Sequence, residues 1–447
     1  MKAREVLLLI LIVVVGVVFY QARTGGIRID GDWEGPFGGG RTFDFEESLT
    51  LEGPIPARIE VRNAHGEVEV RGAEQETVTV TLLKKVRRRT EAEARAVADR
   101  LKAVIVRDDG RLEISTNREE FEKKGFETSF RLIVPAGAEV VVANSYGTIT
   151  ASGVRSATID NPHGRVDAAD VAEDVSVTNS YEDVALSRVG SSCRVTARHA
   201  DVRVRQAEGD VRIDHAYGKI EVSDAAAGAT IAGEHTEVSL LRVKGAVDVR
   251  TTYEKVSLVD VGPATVVGQH APVAADGVHG ALKVATTYAG VRATGIQGDL
   301  DVEGKSVGVV GRSIAAGTIR IATSYEDLDL ADFTGRAEIG LSNADAVLAP
   351  AALTSAIDVK NVYGTVRFVW PKGARFPFVG RSKGGDVKWG LAEHPDVETT
   401  NGEALVKAFG GGVEGASVTL STSYGDIVVE EASRPEARRE PEKPPDR

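Results

Sequence analysis

Along most of the chain, apolar and polar residues alternate, and the alternation slips by one position at regular places. In residues 175–189, Val175 and Val177 alternate with Ser176 and Thr178, the pattern of a strand with one buried face. Carrying that phase forward puts Asn179 and Tyr181 inward. The next apolar residues are Val184 and Leu186, so an extra residue at Glu182-Asp183 turns the chain. A second corner at Val189-Gly190 leads into Cys193 and Val195. The same grammar recurs: Val211, Ile213, His215 and Tyr217 precede Ile220 and Val222, and Val247, Val249, Thr251 and Tyr253 precede Val256 and Leu258.

The corners keep time. Tyr146, His163, Tyr181, His199, Tyr217, His235, Tyr253, His270 and Tyr288 follow one another in steps of 17 or 18, tyrosine alternating with histidine. The register weakens through Ser306 and Asn343 but retains Tyr325, Tyr363 and Tyr424. A short fixed period over half a chain signals a solenoid. We expect an all-β fold, a parallel β-solenoid with about 18 residues per coil and coils about 4.8 Å apart. The twelve aromatic residues from Tyr146 to Tyr424 would form a structural corner ladder. A coil of about 36 residues holding both ring types, or propeller-like blades, also fits the count. The phase slip argues against tight antiparallel turns. Two residues before each corner stands a polar residue in the inward phase: Asn144, Asn161, Asn179, His215, Thr251, Thr286, Thr323, Asn361 and Thr422. A hydrogen-bonded column of stacked side chains is expected there.

The ends differ from the middle. Lys2 and Arg4 precede an apolar run over residues 6–20, which reads as a signal anchor or transmembrane helix spanning 1–22. Only Ala22 offers a small residue for cleavage. The expected placement is therefore single-pass in a cell inner membrane, with the bulk of the chain extracytoplasmic. Residues 23–44 read as a linker. Residues 45–135 read as an N-terminal β module, in which Thr90-Glu91-Ala92-Glu93 opens a capping helix to about Val104 with a stripe of Val97, Leu101 and Val104. Regular repeats are expected over 136–369, a looser coil and cap over 370–432, and a disordered tail over 433–447.

The net charge of −12 speaks against nucleic acid as a partner. The one basic cluster, Lys84-Lys85-Val86-Arg87-Arg88-Arg89, reads as a solvated face. The single cysteine, Cys193, lies in the inward phase and reads as a buried thiol.

Several stretches resemble a bacterial adhesin-like β-strand-repeat family of unknown function, the DUF4097 type. Residues 59–72 match its opening pattern, and 416–429, with Ser423-Tyr424-Gly425-Asp426-Ile427, match its closing signature. The resemblance covers about residues 45–430 and implies a parallel β-solenoid outside the cytoplasm, with no catalytic residues to carry over. The regular Tyr/His alternation departs from the family pattern.

Parallel solenoids also host polysaccharide lyases and hydrolases, which need convergent carboxylates. The corner acids Asp183, Asp201, Glu237, Asp327, Asp345 and Asp426 are the candidates, and they read as repeated solvated acids. Histidines two coils apart, at about 9.6 Å, are too distant to share one zinc ion. No cofactor and no metal are expected. The leading expectation is a non-catalytic, membrane-tethered adhesin or envelope scaffold that binds a protein or glycan. A polysaccharide-active enzyme is the alternative, and end-to-end or side-by-side association of copies is open.

Overall fold

The computed structural model describes residues 40–108, 110–121, 125–400, 402–410 and 417–432. The expected anchor over 1–22 and the tail over 433–447 lie outside the described residues. Among the described residues, no helix is long and apolar enough to cross a membrane.

The alternating segments fold into a parallel β-solenoid. Val175 pairs with Cys193, and Cys193 in turn with Val211, so each residue meets its equivalent one repeat later. That register sets the coil at about 18 residues and excludes the longer one. Each coil carries two strands on two faces. Val175–Asn179 continues the first face, and Val184–Val189 the second. Inward Val, Ile, Leu and Ala from both faces fill one continuous core, and Val184, Val195, Val202 and Leu240 are fully buried. Cys193 lies in this core, and burial pushes its thiol up to about 12.

Two lines of residues take the left-handed backbone conformation that makes the bends. One runs through His199, Tyr217, His235, Tyr253, His270 and Tyr288, with φ between 47° and 65°. The other runs through Asp170, Arg188, Gln206, Asp224, Arg242 and Asp260, with φ between 53° and 60°. Such values are uncommon outside glycine. The period-2 extrapolation that placed Tyr181 and its equivalents inward fails at the corner, both where the ring residue is left-handed, as at Tyr217, and where it is not, as at Tyr146 and Tyr181. Tyr181 is 55% exposed, and Tyr146, Tyr217, Tyr253, Tyr288, Tyr325, Tyr363 and Tyr424 are also exposed.

Both ends of the stack are built out of sequence order. At the N-terminal end, Arg58–His65 pairs with Arg111–Thr116 on one side and Glu139–Tyr146 on the other. Its partner strand Val68–Ala73 likewise lies between Phe126–Pro135 and Ile149–Ser152. The first coil in sequence is thus the second in space. At the C-terminal end, Val418–Tyr424 lies between Ile357–Tyr363 and Phe378–Lys383, and Ile427–Glu431 between Val366–Trp370 and Val387–Trp389. The last coil in sequence is the penultimate one in space.

Antiparallel strands cover the outer coils. Arg41–Leu51 pairs with Val78–Arg88, which pairs with Phe126–Pro135. Its start falls inside the stretch expected as a linker. Ala103–Asp108 covers Arg111–Thr116, and Glu403–Ala408 covers Phe378–Lys383. The helix Glu91–Arg100 is capped by Thr90, whose side chain accepts from the Glu93 N–H. It ends four residues earlier than expected and buries Ala94 and Ala98, with Leu101 just beyond, against Val86 and Phe126. Val104 belongs to the next strand and is exposed. Lys84 departs from the solvated-face reading. It is buried, its ammonium donates to the Ala98 carbonyl at 2.9 Å, and it pairs with Glu47.

Candidate functional site: an exposed aromatic ladder

The corners aim one ring per coil along a single line, with a left-handed φ at the ring residue itself from His199 onward and at the following glycine for His65 and Tyr146. His65, Tyr146, His163, Tyr181, His199, Tyr217, His235, Tyr253, His270 and Tyr288 stack face to face, with adjacent centroids 4.7 to 5.7 Å apart. Interplanar angles lie between 4° and 14°. At the strand spacing of about 4.8 Å, ten rings make a line of about 43 Å. Tyr363 and Tyr424 stack separately at 4.9 Å. Between the two runs, register places Ser306 after Tyr288, then Tyr325 and Asn343 before Tyr363.

Because the rings stack on each other, the long run offers its edges to solvent. Those edges are phenol hydroxyls and imidazole nitrogens in alternation. Successive histidines have a tyrosine between them, so no two share a metal ion. Among the described residues, no three His, Cys, Asp or Glu side chains gather as a metal site.

Beneath the ladder runs the polar column read from the sequence. Its members are buried. They do not bond to one another as a side-chain ladder. Most reach back to a corner carbonyl of the preceding coil. Asn179 donates to the Gly164 carbonyl at 2.7 Å, Thr251 to Thr236 at 2.9 Å, Thr286 to Ala271 at 3.1 Å and Asn361 to Ala344 at 2.8 Å. His215 does the same with Nε2 against the Ala200 carbonyl at 2.7 Å, while Nδ1 meets the Thr236 hydroxyl at 2.9 Å. Burial lowers the His215 pKa below its ordinary 6.5, although the Ala200 carbonyl opposes that shift. These bonds satisfy the carbonyls that a bend leaves without a ladder partner.

The corner acids have structural partners too. Asp201 accepts from the Lys219 N–H at 3.1 Å, Asp327 from the Asp345 N–H at 3.0 Å, Asp345 from the Thr365 N–H at 2.7 Å and Asp426 from the Asp386 N–H at 3.0 Å. Arg203 also ties Asp183, Asp201 and Glu221 together on the surface. The reading as simply solvated acids missed these inter-coil bonds. Sequence reading also missed the second left-handed line, where Arg188 grips Asp170 and Arg242 grips Asp224, each through two hydrogen bonds. The spacing of 18 between each Asp and its Arg was the available signal. His279 similarly meets Asp260 at 2.6 Å, and that bond raises its pKa.

A family model, Toastrack DUF4097, matches residues 57–430. The chain belongs to that family. The matched span takes in the out-of-order coils at both ends as well as the repeats between them. No curated protein matches the chain. Among solved structures, a "putative cell adhesion protein" from Clostridium sporogenes is 8% identical, covering 87% of this chain and 100% of that one, with a TM-score of 0.19. A "putative adhesin" from Parabacteroides merdae is 10% identical, covering 73% of this chain and 96% of that one, with a TM-score of 0.22.

Proposed function

We propose that this Toastrack protein is a non-catalytic envelope protein that binds a protein or glycan through its repeat surface. The carrying observation is the exposed line of stacked rings, which offers one repeated chemistry over many coils rather than one enclosed site. The corner carboxylates add support. Asp201, Asp327, Asp345 and Asp426 are engaged with N–H groups of neighbouring coils, which is poor equipment for acid–base work. The basic start and apolar run over residues 6–20 favour a single-pass tether with the solenoid on the extracytoplasmic side. Antiparallel strands cover both ends, which favours side-by-side over end-to-end association of copies.

The test is to incubate the full chain with cell-wall and capsular polysaccharides and with envelope extracts, following both binding and turnover. Saturable binding without turnover is expected. Turnover that disappears on changing one or two corner acids would replace this reading with a lyase or hydrolase. Fractionation of cells should leave the chain with membranes after a salt wash. A soluble, shortened form would remove the tether.

A further inference from the structure

The ladder is interrupted in its side chains, not in its backbone. Ser306, Tyr325 and Asn343 have φ of 54°, 64° and 57°, the same bend as the rings before them. The coils continue to pair in parallel through this stretch, with one register shift between Ala315 and Thr318. Only the alternate ring is replaced, by a hydroxyl and by an amide. Tyr288, Tyr325 and Tyr363 are therefore spaced at every second coil, about 9.6 Å apart. Tyr325 is 60% exposed, and short side chains stand on either side of it.

Beside this stretch lies a trough of about 570 Å³. It is shallow and open, and Ala322, Gly340, Glu303, Lys305, Ser342 and Lys360 are among its lining residues. Lys305 and Ser342 immediately precede Ser306 and Asn343, so the trough runs up to the two gaps. The lining residues come from four successive coils.

We propose that the interrupted ladder between Tyr288 and Tyr363 binds a polysaccharide strand, with pyranose rings seated between successive tyrosine faces. This rests on the reading of the repeat surface as a binding surface and names the ligand class and its place. The width of the gap favours the sugar. A flat ring touching both tyrosines at carbon contact distances of about 3.5–4.0 Å would leave space unfilled. A chair, with C–H groups on both faces, is thicker. Those C–H groups meet the negative face of an aromatic ring. Ser306, Ser342 and Asn343 supply hydroxyl and amide partners, and Lys305, Lys360 and Glu303 line the path of the neighbouring sugar units. In the long run from His65 to Tyr288 the internal ring faces are already occupied by each other, so sugar stacking is confined to the interruption.

The experiment titrates the full chain with cellohexaose, chitohexaose and hexagalacturonate, by calorimetry and by saturation-transfer NMR. At least one should bind and receive saturation from tyrosine at its ring protons. Tyr325→Ala should weaken that binding at least tenfold. The chain carrying Ser306→His and Asn343→His together fills both gaps with the ring that the fold already accepts at His235 and His270. It should remain folded by circular dichroism and lose binding. Undiminished binding by that filled chain would overturn this site while leaving the broader reading intact. Failure of all three sugars to bind the parent chain would overturn the sugar assignment. Binding of an envelope protein in the extract experiment above would then still uphold a binding function.

Discussion

At the scale of single residues, the ladder balances two opposing terms. A left-handed non-glycine residue costs about 1–2 kcal/mol, and a stacked aromatic pair returns about 0.5–1.5 kcal/mol beyond its burial. The rings therefore roughly offset the bend that presents them. Two consequences follow for Tyr217, which is half-exposed with φ 63°. Its truncation should cost about 1–2 kcal/mol, well below the roughly 3–5 kcal/mol of a fully buried aromatic. Tyr217→Gly should also be more stable than Tyr217→Ala by about 1 kcal/mol, because glycine tolerates the left-handed bend. Urea unfolding of the two variants measures both, and the usual order with alanine ahead would rule out backbone strain at this corner. His215 allows a pH test. Its imidazole is held below 6.5 in the folded chain, so the unfolded chain takes up the proton more readily. Its contribution is intact above about pH 6.5 and falls as pH drops below that value. Asparagine fills the equivalent place at Asn144, Asn161 and Asn179. His215→Asn should thus lose less stability than the parent chain between pH 7.5 and 5.5. Equal losses by thermal melts at the two pH values would show that His215 is not the sensitive group.

At the scale of the coil, hydrophobic periodicity carried most of the information. Strand phase, coil length and the inward polar column were legible because apolar spacing and side-chain chemistry encode them directly. The outward turn of the tyrosines was not. It depends on the local backbone of each corner, which at Tyr217, Tyr253, Tyr288 and Tyr325 is left-handed at the tyrosine itself and at Tyr146 and Tyr363 is left-handed at the following glycine. Alternation of apolar residues does not announce it. The tight approach of successive corners is another feature that contacts reveal and periodicity does not. A Cβ on Gly425 would lie 2.1 Å from the Gly364 carbonyl oxygen, which is backbone and cannot rotate away. Gly425→Ala should cost about 1–3 kcal/mol, the range for overpacking. Gly290 has open space around its Cβ position, so Gly290→Ala should be neutral or slightly stabilising. Similar midpoints for the two variants would mean that corners can spread apart without penalty.

At the scale of the molecule, a solenoid has a weakness that its repeats cannot repair: each coil is held only by its neighbours, so the ends fray first. Here both sequence ends of the solenoid are threaded inward. The coil of Val418–Tyr424 and Ile427–Glu431 has a neighbour on each side and cannot peel from the stack without parting them. The sequence did not disclose this, because inserted and stacked coils share one pattern and differ only in their distant partners. The arrangement predicts an asymmetry between two truncations. Ending the chain after residue 432 removes only the Pro- and Glu-rich tail and should change nothing in the stack. Ending it after residue 410 removes the threaded coil and exposes two faces at once. Ile357–Tyr363 and Phe378–Lys383 then lose a shared partner, and their unpaired edges should drive association. Hydrogen exchange should show protection lost on both sides of the missing coil, over 357–370 and 378–389, while Val175–Asn179 and its neighbours stay protected. Loss confined to 378–389 would mean that the stack closes over the gap, and that threading is not what holds the end.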